Sequence, residues 1–420
     1  MNLEIIKSNL KGEVYAPTSK SLFHRALIVA CISKGESVLH GDYSSDDVIA
    51  TINALKSLGA KFDFKDREIV VHPIKRDNAS YGDDVVAPQT VEINCYESGS
   101  TLRFILPLAA ALGVKATFGG RGKLGNRPIG ELLEELKGIK TDYDGGLPFS
   151  INGKLESGDY EIDGSESSQF VSGLMMSMLT LDGEHKLKLK GLKSRPYVDL
   201  TVSVITAFGG KIEQDNGDYH IDGSALKGRD FDIEGDFSGA SFLFALGALN
   251  GDVKILGLND RSKQGDKTFL NLLKKMNAKI TFDENAYRVE KSELSGTDFD
   301  FSDCPDIAPI AAVVMARAKG ISRIYGANRL TAKESDRKQG IIKMLTALGI
   351  KVKDLGDTLE VEGGEFKPCI LDGQADHRMV MSGAVALSLC GGVVTDCEAV
   401  SKSYKNFFDD FKSLGGRYVR

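Results

Sequence analysis

The chain has no tryptophan, and aromatic residues make up only 8% of its 420 positions. Its 46 glycines point to many tight turns between short elements, so repeated small units are expected rather than a few long helices. No apolar run approaches the ~20 residues of a membrane span. The opening "MNLEIIKSNLKGEVYAP" has neither the apolar stretch nor the small-residue cleavage site of a secretory signal, so a cytoplasmic protein away from membranes is expected. Blocks of one charge sign are missing as well. With 53 basic residues against 59 acidic ones, the formal charge is −6, and no Lys/Arg block offers a face to nucleic acid. Any anion held by this protein must be met by a local group of cations. The six cysteines, at 31, 95, 304, 369, 390 and 397, show no short Cys/His ligand spacing. Free thiols and no metal site are expected.

A chain of this length exceeds one core of ordinary size, and two domains of roughly 200 residues each are expected. The 42% apolar content is enough to fill both. Six segments read alike: "LKSLGAKFDF" (55–64), "ELKGIKTDY" (135–143), "ITAFGGKIEQ" (205–214), "LLKKMNAKIT" (272–281), "MLTALGIKVK" (344–353) and "FKSLGGRYV" (411–419). Each ends an amphipathic helix, passes through two small or apolar residues, and sets a basic residue at the opening of a strand. Gly after a helix fits a left-handed cap. Lys61, Lys140, Lys211, Lys279, Lys351 and Arg417 recur about every 70 residues, as internal repetition requires. Short strand candidates at 113–120, 185–191, 251–257, 320–326 and 391–396 keep the same beat, four of them after an apolar helix candidate. The inferred unit is βαβαββ, repeated six times in two groups of three, an α/β protein. By sequence order the strand at 14–17 runs into the first group.

Chemistry-bearing residues gather where a strand or turn enters an apolar helix. In "PTSKSLFHRALIVA" (17–30), Thr18, Ser19 or Ser21 is positioned to cap a helix carrying Lys20, His24 and Arg25, whose first-turn N–H groups favour an anion. "ESGSTLRF" (97–104) offers Gly99 for close backbone approach, with Ser100 or Thr101 as the cap. "GGRGKLGNRPIG" (119–130) fails both the Walker and the dinucleotide patterns and reads as a basic arm carrying Arg121, Lys123 and Arg127. "DGSESSQFVSGLMMSML" (163–179) lines up Ser165, Ser167, Ser168 and Gln169, donors that add no net charge, and "LKSRPYVD" (192–199) adds Ser194, Arg195 and Tyr197.

Further along, "SDCPDIAPIAAV" (302–313) sets Asp306 before an apolar helix, either as its cap or as a proton acceptor. "TAKESDR" (331–337) contributes Lys333, Glu334, Asp336 and Arg337. "DGQADHRMVMSGAVAL" (372–387) contributes Asp376, His377 and Arg378, without the nucleophile elbow that would make Asp and His a hydrolase pair. Lys402 stands ahead of a last helix. Each segment alone also reads as an ordinary capped helix or a solvated basic loop. Together they suit two small multivalent anions. At ~6 Å and an effective dielectric of ~20, even one charge on each repels by about 3 kcal/mol, so several cations must converge.

These motifs resemble the 5-enolpyruvylshikimate-3-phosphate synthase family of enolpyruvyl transferases. "PTSKSLFHRAL", "SGSTLR", "NRPIG", "DGSESSQF", "SDCPDIA", "AKESDR" and "DHRM" occur in that family's order across essentially the whole chain. The resemblance implies a two-domain inside-out α/β barrel of six βαβαββ units, with 19–233 as one domain on the shikimate 3-phosphate side, 1–18 and 234–420 as the other, and the active site in the cleft between them. It implies transfer of the enolpyruvyl group of phosphoenolpyruvate to the 5-hydroxyl of shikimate 3-phosphate by a monomer, without metal or organic cofactor. By the same resemblance, shikimate 3-phosphate is held by Lys20, Ser21, Arg25, Ser167, Ser168, Gln169, Ser194, Tyr197, Asp306 and Lys333. Phosphoenolpyruvate is held by Lys20, Gly99, Arg127, Gln169, Arg337, Arg378 and Lys402, and the catalytic groups are Lys20, Asp306, Glu334 and Lys402. Gly99 implies inhibition by glyphosate in competition with phosphoenolpyruvate. His24 stands where the family pattern has Asn, Ser100 where it has Thr, and Glu97 where Asn is common; Glu97 brings a negative charge that must turn away or pair with Arg103. The alternatives are the related transferase acting on UDP-N-acetylglucosamine, whose loop carries Cys where this chain has Gly122, and a non-catalytic anion-binding repeat protein.

Overall fold

The structure is a computed structural model that describes residues 1–75, 90–331 and 333–420; Ala332 of the "AKESDR" motif lies outside them. Among the described residues there are twelve α-helices: α1 (Lys20–Ile32), α2 (Asp46–Ser57), α3 (Gly99–Ala111), α4 (Gly130–Glu135), α5 (Ser168–Met178), α6 (Arg195–Ala207), α7 (Phe237–Asn250), α8 (Thr268–Lys275), α9 (Ala308–Met315), α10 (Arg337–Ala347), α11 (His377–Cys390) and α12 (Phe407–Ser413).

One repeat shows the logic of all. Strand Val91–Asn94 leads through α3 to Ala116–Gly119, and the two pair in parallel, which a crossover helix makes possible. After α4, strands Ile139–Thr141 and Phe149–Gly153 pair antiparallel, and the latter closes onto Ala116–Gly119. The sheet order is therefore first, second, fourth, third. The same order by chain position recurs in four of the six four-stranded sheets among the described residues; in the other two, a strand from a distant part of the chain takes one place in the same arrangement. Lys61, Lys211, Lys279, Lys351 and Arg417 are each the first residue of a strand, and Lys140 is the second of Ile139–Thr141. All six side chains are exposed, which explains why a charged residue recurs there.

Three sheets take a strand from a distant part of the chain. Asp230–Asp232 pairs in parallel with Ser37–His40, and Leu10–Tyr15 with Gly251–Leu256. Leu3–Ile6 lies between Gly392–Val394 and Arg417–Val419. Sequence order alone would run the strand at 14–17 into the first group; instead Leu10–Tyr15 finds its backbone partners in 251–256.

The chain divides into a discontinuous unit, Met1–Ser19 with Glu234–Arg420, and a continuous unit, Lys20–Ile233. Ser19, placed by the sequence reading with 20–233, falls in the discontinuous unit. Its N–H donates to the Glu234 carbonyl at 2.9 Å and its hydroxyl to Gln264 Oε1 at 3.3 Å. Within the discontinuous unit every residue of α7 and of α9 is buried, and these helices pack on each other and on α11. A helix apolar all round has no face for water, so it goes inside. In the continuous unit α3 packs on α5 so closely that a Cβ on Gly173 would meet the Arg103 carbonyl at 2.3 Å. Strands such as Glu68–His72 alternate partly exposed and buried residues, as sheets covering a helical interior do. No helix among the described residues is long and apolar enough to cross a membrane.

Candidate active site

In the continuous unit the site residues lie at the starts of α1, α3, α5 and α6. Lys20, the first residue of α1, places Nζ 2.7 Å from Asp47 Oδ2 at the start of α2. Arg25 lies one turn further on and is 3% exposed. Its Nε donates to Thr201 Oγ1 at 2.7 Å, Nη1 to the Ser21 carbonyl at 2.7 Å and Nη2 to the Tyr197 carbonyl at 3.0 Å, so Ser21, Arg25 and Tyr197 come together. The guanidinium also lies over the Phe104 ring. Burial lowers its pKa to about 10, because among the described residues no carboxylate pairs with it. Ser194 precedes α6 in the left-handed region at φ 54° and is buried, its carbonyl accepting from the Tyr197 N–H.

The other half of this unit's set is joined by amides. Ser167 caps α5 by accepting from the Gln169 N–H at 3.3 Å, and Ser168 is buried beside it. Gln169 accepts from Arg103 Nη1 at 2.8 Å and donates through Nε2 to Ser100 Oγ at 2.8 Å, tying α5 to α3. The α3 cap is Ser98, accepting from the Thr101 N–H at 3.2 Å. Ser100 and Thr101, expected as caps, are helical, because the turn begins two residues earlier than the apolar run suggests. Arg127 abuts Gly99: a Cβ there would sit 2.3 Å from Arg127 Nη1. Arg103, which sequence reasoning assigned no binding role, donates to Gln169 and to the Pro128 carbonyl and so links α3, α5 and the Arg127 loop. The signal was a lone cation one turn past Gly99 in an otherwise apolar helix. Glu97 faces Arg121 at 3.7 Å and packs against Gly122, where a Cβ would touch its carboxyl carbon at 3.0 Å.

The discontinuous unit is organised by carboxylates. Asp306 does not cap α9; it sits in the 3-10 turn Pro305–Ile307 ahead of it. Its carboxylate lies 3.1 Å from Arg378 Nη2, 3.1 Å from Arg337 Nη1 and 3.6 Å from Lys333 Nζ. Burial by itself would raise the Asp306 pKa, but the charges of Arg378, Lys333 and Arg337 outweigh it and hold the carboxyl well below the usual range. Arg337 opens α10 and is 0% exposed. It grips Asp376 through Nε at 2.8 Å and Nη2 at 3.1 Å, and Nη2 also donates to Glu334 Oε2 at 2.7 Å. Asp376 in turn caps α11, accepting from the Arg378 N–H at 2.9 Å. The Arg378 side chain donates to Ser238 Oγ on α7 at 2.7 Å. Lys402 reaches the same helix start, its Nζ 2.8 Å from the Ala375 carbonyl. His377 Nδ1 stands 3.9 Å from Asp376, beyond hydrogen-bond reach, so the adjacent Asp and His form no dyad. Asp47 and Ser238 are the partners that the motifs did not include, and Asp376 of "DHRM" is the one that had no binding role assigned.

Two units of three four-stranded sheets, each with a helical interior and with cations gathered near helix starts, make an α/β scaffold of repeated units. The solved EPSP synthase from Acinetobacter baumannii shares this fold, with a TM-score of 0.82 at 21% identity over 100% of both chains. The family model for EPSP synthase (3-phosphoshikimate 1-carboxyvinyltransferase) matches residues 5–411. A relative of the same description from Clostridium novyi is 37% identical, covering 99% of this chain and 98% of its own, and one from Clostridium beijerinckii is 39% identical over 99% and 98%. The chain belongs to the EPSP synthase family.

Proposed function

We propose that this chain transfers the enolpyruvyl group of phosphoenolpyruvate to the 5-hydroxyl of shikimate 3-phosphate and releases phosphate. The observation that carries the reading is the Asp306 carboxylate with Arg378, Arg337 and Lys333 at 3.1, 3.1 and 3.6 Å. Three cations on one carboxylate can be shared with an incoming carboxylate and phosphate. As phosphoenolpyruvate draws part of that charge away, the proton affinity of Asp306 rises and the group becomes a base. Substrate binding and base activation are thereby the same event.

Shikimate 3-phosphate is assigned to Lys20, Ser21, Arg25, Ser167, Ser168, Gln169, Ser194 and Tyr197, with Lys333 and Asp306. Arg25 supports this, because a buried cation without a carboxylate is stabilised by a phosphate. Phosphoenolpyruvate is assigned to Lys20, Gly99, Arg127, Gln169, Arg337, Arg378 and Lys402. A proton from Glu334, or from Lys20 or Lys402, goes to the vinyl methylene. The 5-hydroxyl oxygen attacks C2 while Asp306 takes its proton, giving a tetrahedral phosphate ketal. Loss of phosphate, with a proton leaving the new methyl group, restores the double bond as an enol ether. The cations hold carboxylate and leaving phosphate throughout, positioning and charge stabilisation being the main contributions. The protein works as a monomer in the cytoplasm.

Phosphate release tests this directly, with phosphoenolpyruvate and either shikimate 3-phosphate or UDP-N-acetylglucosamine as acceptor. Release with the first acceptor alone is expected. Release with the nucleotide sugar, or binding of both substrates without phosphate, would overturn the assignment.

A further inference from the structure

A chain of buried polar groups crosses the apolar interior of the continuous unit. His24 on α1 is 1% exposed and places Nδ1 2.7 Å from Thr51 Oγ1 on α2. Thr51 Oγ1 lies 2.7 Å from Thr101 Oγ1 on α3, and Thr101 Oγ1 donates to Ser98 Oγ at 2.8 Å. Thr51 and Thr101 have no solvent exposure, and Ser98 is buried. The imidazole and the Phe104 ring stand edge to face, their centroids 6.4 Å apart, and Nε2 has no hydrogen-bond partner among the described residues.

These facts set the direction of the chain. An orphaned N–H is rarer in a protein interior than an orphaned acceptor, so the buried Nε2 is the bare nitrogen and Nδ1 carries the proton. Burial, with Lys20 and Arg25 nearby, disfavours a second proton on the ring and lowers its pKa well below the ordinary value. Nδ1–H therefore donates to Thr51, Thr51 to Thr101, and Thr101 to Ser98. Ser98 Oγ receives both the hydroxyl and the backbone N–H of Thr101, which fixes it as the α3 cap. The turn it fixes begins with Gly99, against which Arg127 lies. Apolar side chains would fill this space at lower cost, because each buried hydroxyl must be paired to be tolerated. Directional bonds do what apolar packing does not: they fix the rotation and height of the α3 start relative to the bodies of α1 and α2.

We propose that His24 is a positioning residue for the phosphoenolpyruvate subsite, fixing the Gly99 turn through Thr51, Thr101 and Ser98. The inference rests on the assignment of Gly99 to that substrate. Two substitutions separate packing from hydrogen bonding. In His24→Asn the amide nitrogen is bonded to Cγ, as Nδ1 is, and can donate to Thr51. In His24→Leu a methyl group takes that place and donates nothing.

The test is steady-state kinetics with both substrates, with thermal unfolding run alongside. His24→Leu is expected to raise KM for phosphoenolpyruvate about three- to tenfold, the loss of one buried hydrogen bond, with kcat and KM for shikimate 3-phosphate within about twofold. His24→Asn is expected to stay within about twofold of the parent. Should His24→Leu fail to fold, Thr51→Val cuts the same chain without changing shape and is expected to show the same split. Unchanged kinetics in the variant that cuts the chain, equal rises in both KM values, or failure of Asn to restore the parent value would each overturn the proposal. Gly99→Ala keeps the two readings apart. If it leaves KM for phosphoenolpyruvate unchanged, the subsite assignment fails; if it raises that KM while the cut chain does not, only the role of His24 fails.

Discussion

Arg25 in the continuous unit and Arg337 in the discontinuous unit are both buried arginines, and their surroundings are opposite. Arg337 is enclosed by Asp376, Glu334 and Asp306, and these charges more than offset its burial and raise its pKa. Arg25 donates to a threonine and two backbone carbonyls, and burial prevails, lowering its pKa to about 10. Hydrogen bonds satisfy the geometry of a guanidinium without neutralising its charge. One arginine therefore has its counter-charge inside the protein and shapes the carboxylates around it. The other keeps its charge with no carboxylate paired to it among the described residues.

The largest expected effect separates the two by stability. Arg337→Met leaves Asp376 as a buried, unpaired carboxylate and should lower the unfolding free energy by about 3–5 kcal/mol. Arg25→Met removes a buried charge along with its bonds and should change it by less than about 1 kcal/mol. Denaturant unfolding of both variants checks this, and equal losses would erase the distinction.

A smaller effect follows with pH. Burial by itself would raise the Asp376 carboxyl, yet the Arg337 charge holds it at about 2. Its folded-state value lies below the unfolded value of about 4, so its contribution is complete above that pH and is lost as pH falls from about 4 to about 2. Unfolding midpoints measured across that window should drop steeply in the parent and less so in Asp376→Asn. Smaller again is Gly99→Ala, whose methyl must displace the Arg127 guanidinium. KM for phosphoenolpyruvate should rise several-fold at similar kcat, and glyphosate should compete less well. An unchanged inhibition pattern would detach Gly99 from that pocket.

The repeat was legible because its markers are local: a helix end, a turn and an exposed cation at the head of a strand, as at Lys61 and Lys351. What the sequence hid is non-local. Leu3–Ile6, Leu10–Tyr15 and Asp230–Asp232 complete sheets whose other strands lie far away in the chain, and no local pattern marks such partners. The site divides in the same way. Helix-start clusters such as Lys20, Ser167 to Gln169 and Arg378 stand out as charge and hydroxyl beside apolar runs. Their partners Asp47, Arg103 and Ser238 come from other helices and look ordinary in sequence. Arg337 shows the limit most clearly, since nothing in "KESDR" reveals that the second cation is sealed from solvent. Glu97, whose orientation the sequence left open, faces Arg121 because that loop folds back over it.

The measurement closest to the central claim is calorimetric titration of shikimate 3-phosphate into the parent protein and into Arg25→Met. Loss of a charge-assisted contact predicts binding weakened at least about tenfold, with the variant still folded. An unchanged dissociation constant would show that the charge of Arg25 serves the fold rather than the substrate.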